Sequence, residues 1–243
     1  MIALALSQQQ DLELRFRSAA ARDLLANGVR VVRTGGLSES NRDSVTTSLA
    51  VGLGHLYQLA LGLRALTMSG RWTDRDGVAG GAYPDLMSMH DAVFDFLSLY
   101  SHRPGQEAAR WLSRINTDPV VPRLVTALGA YWDGAAGPTA ARGPGPAWSE
   151  VENAVEPDPL EYELNILGGP NGEPAEYLAW RRSVHTSRST FDTGHSQRLA
   201  TTVETIWFAL GACSRDGAFG QPGEVFAAEV LPAASPRGAS VAA

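Results

Sequence analysis

The stretch Ser44-Val-Thr-Thr-Ser-Leu49-Ala-Val-Gly-Leu53-Gly-His55-Leu-Tyr-Gln-Leu59-Ala-Leu-Gly-Leu63 decides the fold class. Its one side chain that changes charge near neutral pH is His55. Leu49, Leu53, Leu56, Ala60 and Leu63 recur at steps of three and four, the period of one helical face. Val51, Leu59 and Leu66 add a second apolar stripe, so the helix is expected to be surrounded by others rather than to show a charged face to water. An all-α, multi-helix bundle with this helix as its most buried element follows, with no sheet of more than two short strands.

Working outward, a first helix is expected from about Gln8 to Arg33, with Leu12, Phe16, Ala19, Leu24 and Val31 near its apolar face. Thr34-Gly35-Gly36-Leu37-Ser38 ends it, and Asn41 or Asp43 can cap the central helix, which continues to Ser69. Gly52, Gly54 and Gly62 would each weaken an isolated helix by about 1 kcal/mol relative to alanine, which calls for a closely approaching neighbour. Pro84-Asp85 opens a third helix to Tyr100, buried along Leu86, Met89, Val93, Leu97 and Tyr100 and wet along Ser88, Asp91, Asp95 and Ser98. A short helix from Pro104 to Ile115 follows. Asp118-Pro119 then starts another, an acceptor at the cap and proline in the first turn.

Gly134 to Ala147 is rich in glycine, proline and alanine and reads as a linker. Helices are expected beyond it at Ser149–Ile166, Pro174–Phe191 and Ser196–Ser214, with Asp192 and Gly194 breaking the last two apart and turns at 217–223. The chain therefore divides into a bundle core (1–133), a linker (134–147), a helical extension packed on the core (148–230) and a small-residue, proline-punctuated tail (231–243) expected to be disordered.

Composition narrows the chemistry. The 243 residues are 44% hydrophobic, enough for one large core or two small ones. All 20 basic residues are arginine, which removes Schiff-base and P-loop lysines from consideration. A net charge of −6 with interspersed signs argues against broad nonspecific DNA binding. The single cysteine, Cys213, excludes an internal disulfide and falls in an apolar helical pattern, where it reads as a packed thiol. The N-terminus lacks the basic region and long apolar run of a signal peptide, and the polar groups of 44–63 favour a core helix over a membrane span. A cytoplasmic protein without metal or cofactor is the expectation.

Asp91 and Asp95 stand one turn apart and could serve as a carboxylate pair, but the third helix needs a solvated side and they supply it. His90 borders that face and is read as a surface histidine. His55 is read as a core imidazole satisfied by Tyr57, Tyr83 or a backbone carbonyl. The densest polar cluster is Arg181, Arg182, His185, Arg188, Asp192 and His195. On a helix, Arg181, His185 and Arg188 would line one side, either as an anion grip or as a basic face paired with Glu173, Glu176 or the acidic run from Glu150 to Glu163.

The central helix Leu49–Leu61, the Gly70-Arg71-Trp72 turn and Tyr83-Pro84-Asp85-Leu86 opening the next helix together resemble the HEPN superfamily of helical bundles, over roughly residues 10 to 135. Proline 84 stands where many relatives carry the histidine of a Gly-His-Asp-Leu motif. The resemblance implies a homodimer and one of two functions. The first is a non-catalytic interaction module with a protein partner, in a stress or phage-defence setting. The second is a metal-independent ribonuclease with an Arg-x(4–6)-His motif, which Arg188 and His195 match at six intervening residues, with Arg188 on the scissile phosphate and His195 as general base or leaving-group stabiliser.

Overall fold

The computed structural model describes residues 6–72, 85–100, 105–136, 145–155 and 188–232. Within them lie eight helices and no strand: α1 (Gln8–Arg33), α2 (Arg42–Ser69), α3 (Leu86–Tyr100), α4 (Gln106–Thr117), α5 (Val120–Ala136), α6 (Gly145–Val155), α7 (Arg188–Arg215) and α8 (Gly220–Val230). The all-α bundle is as the sequence predicts.

α1 begins with a capping box, the Ser7 N–H donating to Gln10 Oε1 (2.9 Å) and the Gln10 N–H to Ser7 Oγ (3.3 Å). It buries Leu14, Ser18, Ala21, Leu25, Gly28, Val29 and Val32. That face differs from the expected one: Leu12 and Phe16 are 60% and 78% exposed. The physical reason is helix spacing. α1 lies against α2 so closely that a Cβ on Gly52 would stand 2.8 Å from Leu25 Cγ, which selects the face carrying Ser18, Ala21 and Gly28 over the more apolar one. Leu14→Ala should therefore cost about 2–5 kcal/mol in urea unfolding. Phe16→Ser should stay within about 0.5 kcal/mol of wild type, despite removing the larger side chain. Equal losses would put the wrong face of α1 inward.

α2 buries Leu49, Leu53, Leu56, Tyr57, Ala60 and Leu63 completely. Val51, His55 and Gln58 form a partly exposed strip, so the helix is not enclosed on every side. α2 is long and apolar enough to cross a membrane, and 67% of its most apolar window is buried inside the protein. The neighbours that its glycines require are α1 at Gly52 and α5 at Gly54; at Gly62 the nearest atoms belong instead to Trp72, folded back from beyond the helix end. Asn41 occupies the N-cap position without capping. Its Oδ1 accepts from the Ser38 N–H (2.8 Å) and its Nδ2 donates to the Gly36 carbonyl (2.7 Å), so it braces the α1–α2 turn. Asp43 is engaged by the Tyr131 hydroxyl, which donates to it at 2.9 Å.

α3 buries the face expected of it, α5 buries Val121, Leu124, Val125, Leu128, Tyr131 and Trp132, and Asp118 accepts from the Val120 N–H (2.9 Å) at the start of α5. Tyr100's side chain lies outside the described set. α4 meets α7 through Trp111 edge-on to Phe208 (5.6 Å). The reading of 134–147 as linker is shortened at both ends, since α5 runs to Ala136 and α6 starts at Gly145. Pro146 does not oppose this, because a first-turn residue has no intrahelical N–H bond to lose. The expected helices over 156–166 and 174–187, and the tail from 233, lie outside the described residues.

α7 and α8 depart most from expectation. α7 runs without a break through Asp192 and Gly194, where a boundary was expected. One glycine costs only about 1 kcal/mol, less than the burial of Leu199, Val203, Ile206 and Leu210 further along returns. The turn expected over 217–223 is confined to its first residues, with left-handed Gly217 (φ 89°) and Gly220 (φ 63°), and α8 follows. α8 packs on α7 and α1. The buried Trp207 Nε1 donates to the Val230 carbonyl (2.8 Å), Arg22 donates to the Glu229 carbonyl (3.0 Å), and Arg15 pairs with the Glu229 carboxylate. Phe219 stacks on Phe96 of α3 (5.4 Å).

Candidate functional site

The unbroken α7 sets the geometry of the Arg188–His195 pair. Seven residues apart on one helix, they stand two turns from each other, about 10 Å along the axis and within about 20° of the same face. Arg188 is placed by its backbone alone. Arg181, Arg182 and His185 lie outside the described residues.

His195 opens into a cleft of about 380 Å³. One wall is the α1–α2 turn braced by Asn41, which contributes Leu37, Ser38 and Glu39, with Arg42 at the start of α2. The second wall is α6, whose Trp148, Val151, Glu152 and Val155 follow the three–four spacing of a single helix face. The third is α7 with His195, Ser196 and Leu199. The Arg42 guanidinium lies over the Trp148 ring, 5.6 Å from its centroid. Among the described residues Arg42 makes no ion pair, and its buried Nε has no acceptor. The cleft thus joins an aromatic-stacked cation, an imidazole, two hydroxyls and two carboxylates above an apolar floor. Arg42, Glu39, Glu152 and Trp148 were missed by sequence reasoning. Three of them sit in or beside segments that read as turn or linker, and no local pattern connects residue 42 with residue 152.

The histidines of the core behave differently from expectation. His90 is not at the surface: it is 5% exposed, with Nδ1 2.8 Å from Tyr57 Oη in a buried hydrogen bond and Phe94 against its ring at 4.6 Å. Burial lowers its pKa to about 4, and burial raises that of Tyr57. The neutral imidazole serves as packing, with its Nδ1 satisfied by Tyr57. His55 is half-buried, edge-on to Trp132 (6.2 Å), its pKa lowered by burial and then by Arg17. Tyr57 is engaged by His90 and does not serve His55.

Asp91 and Asp95 sit on the exposed side of α3. Burial first, then Asp95 and Asp85, raise the Asp91 pKa. Cys213 is buried, its thiol pushed up to about 12 chiefly by that burial. Among the described residues no three His, Cys, Asp or Glu side chains come together as a metal would need. No family model, curated protein or solved structure matches the chain.

Proposed function

We propose that this protein is a non-catalytic binding module of HEPN-like type, a cytoplasmic homodimer whose recognition site is the cleft between the α1–α2 turn, α6 and α7. The observation that carries this reading is Arg42. A guanidinium held against an indole at a cleft wall, without an ion pair among the described residues, is a donor set left available to a ligand. The test is to recover what the purified protein retains. Denaturing it and analysing the released small molecules and RNA by mass spectrometry should yield a ligand from wild type that Arg42→Gln does not retain. Equal recovery from both proteins would remove the cleft from the function.

A second reading, the metal-independent ribonuclease, is favoured by one specific observation: α7 carries residues 188 and 195 on one face, and His195 borders a cleft instead of a dry core. Incubation with structured and single-stranded RNA, with and without chelator, separates the two. The binding module leaves both RNAs intact. Cleavage that survives chelation and is abolished by His195→Ala at an unchanged Tm would replace it. In that case Arg188→Ala should do the same, and the double variant should be no worse than either single one, because groups acting as a unit are non-additive.

A further inference from the structure

The lining of the cleft is specific enough to name a ligand class, on the reading that this cleft is the recognition site. It carries one fixed positive charge, Arg42, and two negative ones, Glu39 and Glu152. A simple anion would meet Arg42 but be repelled by two carboxylates, and a polyanionic phosphate more so. A simple cation would leave the guanidinium facing it. A dipolar molecule satisfies both signs. Its carboxylate fits the planar fork of Arg42, whose orientation is set in advance by stacking on Trp148, so less side-chain freedom is lost on binding. Its ammonium has Glu39 and Glu152 as acceptors. An aliphatic body has Val155 and Leu199 to lie against, and 380 Å³ is the size of a small-molecule site.

We propose that the cleft binds a free α-amino acid with an apolar side chain, carboxylate on Arg42 and ammonium on the Glu39/Glu152 pair. Isothermal titration of the full chain with L-leucine, leucinamide, 4-methylpentanoate and inorganic phosphate tests it. L-leucine should bind. Leucinamide, which lacks the carboxylate, and 4-methylpentanoate, which lacks the ammonium, should each bind more than about tenfold more weakly, as expected when a charge-assisted hydrogen bond is lost. Arg42→Gln and the double variant Glu39→Gln/Glu152→Gln should each weaken leucine to a similar degree. The double variant alters only exposed side chains, so it reports on binding even if Arg42→Gln disturbs the fold. No heat with leucine up to about 10 mM, undiminished binding by either analogue, or phosphate binding tighter than leucine would overturn the amino-acid assignment. Phosphate binding lost in Arg42→Gln would do so while leaving the cleft as the recognition site. Silence from all four probes, together with equal ligand recovery from wild type and Arg42→Gln, would overturn both.

Discussion

Gly54→Ala should destabilise the protein by about 1–3 kcal/mol, and Trp132→Ala by about 3–5 kcal/mol, in urea unfolding at neutral pH. Both effects arise at one contact. A Cβ on Gly54 would overlap Cζ3 of Trp132, closer than any non-bonded pair of carbons comes. The indole cannot swing away cheaply, because it is 3% exposed and enclosed by α2 and α5. The two substitutions should be coupled. Trp132→Leu should relieve much of the cost of Gly54→Ala, so the double variant should be more stable than the sum of the single losses predicts. The indole N–H is buried without an acceptor among the described residues, a penalty that Trp132→Phe removes. That variant should lose less than its reduced volume alone implies. Gly54→Ala within about 0.5 kcal/mol of wild type would mean that α5 does not approach α2 here.

Acid should destabilise the protein through His90 by about 3 kcal/mol. A histidine with a folded pKa near 4 and an unfolded value near 6.5 binds fewer protons in the native state throughout that window. Stability contributed by the neutral imidazole is therefore complete above about pH 6.5. It falls as pH drops toward 4, and below that this contribution changes no further. Asp85, whose pKa is lowered chiefly by the Ser88 hydroxyl, adds its own loss only at lower pH, as its carboxylate protonates. The two are separable in His90→Gln, which should lose much less stability between pH 6.5 and 4 than wild type, the remainder coming from His55, whose pKa burial also lowers. At neutral pH that variant should be less stable, since the Tyr57 hydroxyl must find a new geometry for its bond. A wild-type profile already flat over this window would show that His90 is solvated.

How far the sequence could be read depended on where each cause lies. α2, α3 and α5 announce themselves because their buried faces are long apolar repeats, and local spacing is all that such a repeat requires. α1 does not, since two of its faces are apolar. The choice between them is made by α2, through Leu25 at Gly52 and Leu49 at Gly28, which no property of α1 alone contains. α7 crosses Asp192 and Gly194 because its burial further along outweighs two weak helix formers. His90 looked wet since it flanks Asp91, yet its burial was fixed by Tyr57, 33 residues away. The cleft was the least legible part. It gathers residue 42, residues 148 to 155 and residue 195 from three segments, and only His195 carried a signal of its own.

The clasp between α8 and α1 has a consequence for how the chain is made. Arg22 meets the Glu229 carbonyl across 207 residues of sequence. A ribosome has synthesised α1 to α7 before α8 can reach its place, so the strip of α1 that α8 covers stays open while the helices between them are made. Contacts of such separation form late and slowly, after the entropy of closing a long loop has been met. The protein's birth therefore contains an interval in which α1 and α2 are paired while their outer face still waits, exposed to whatever apolar surface arrives first.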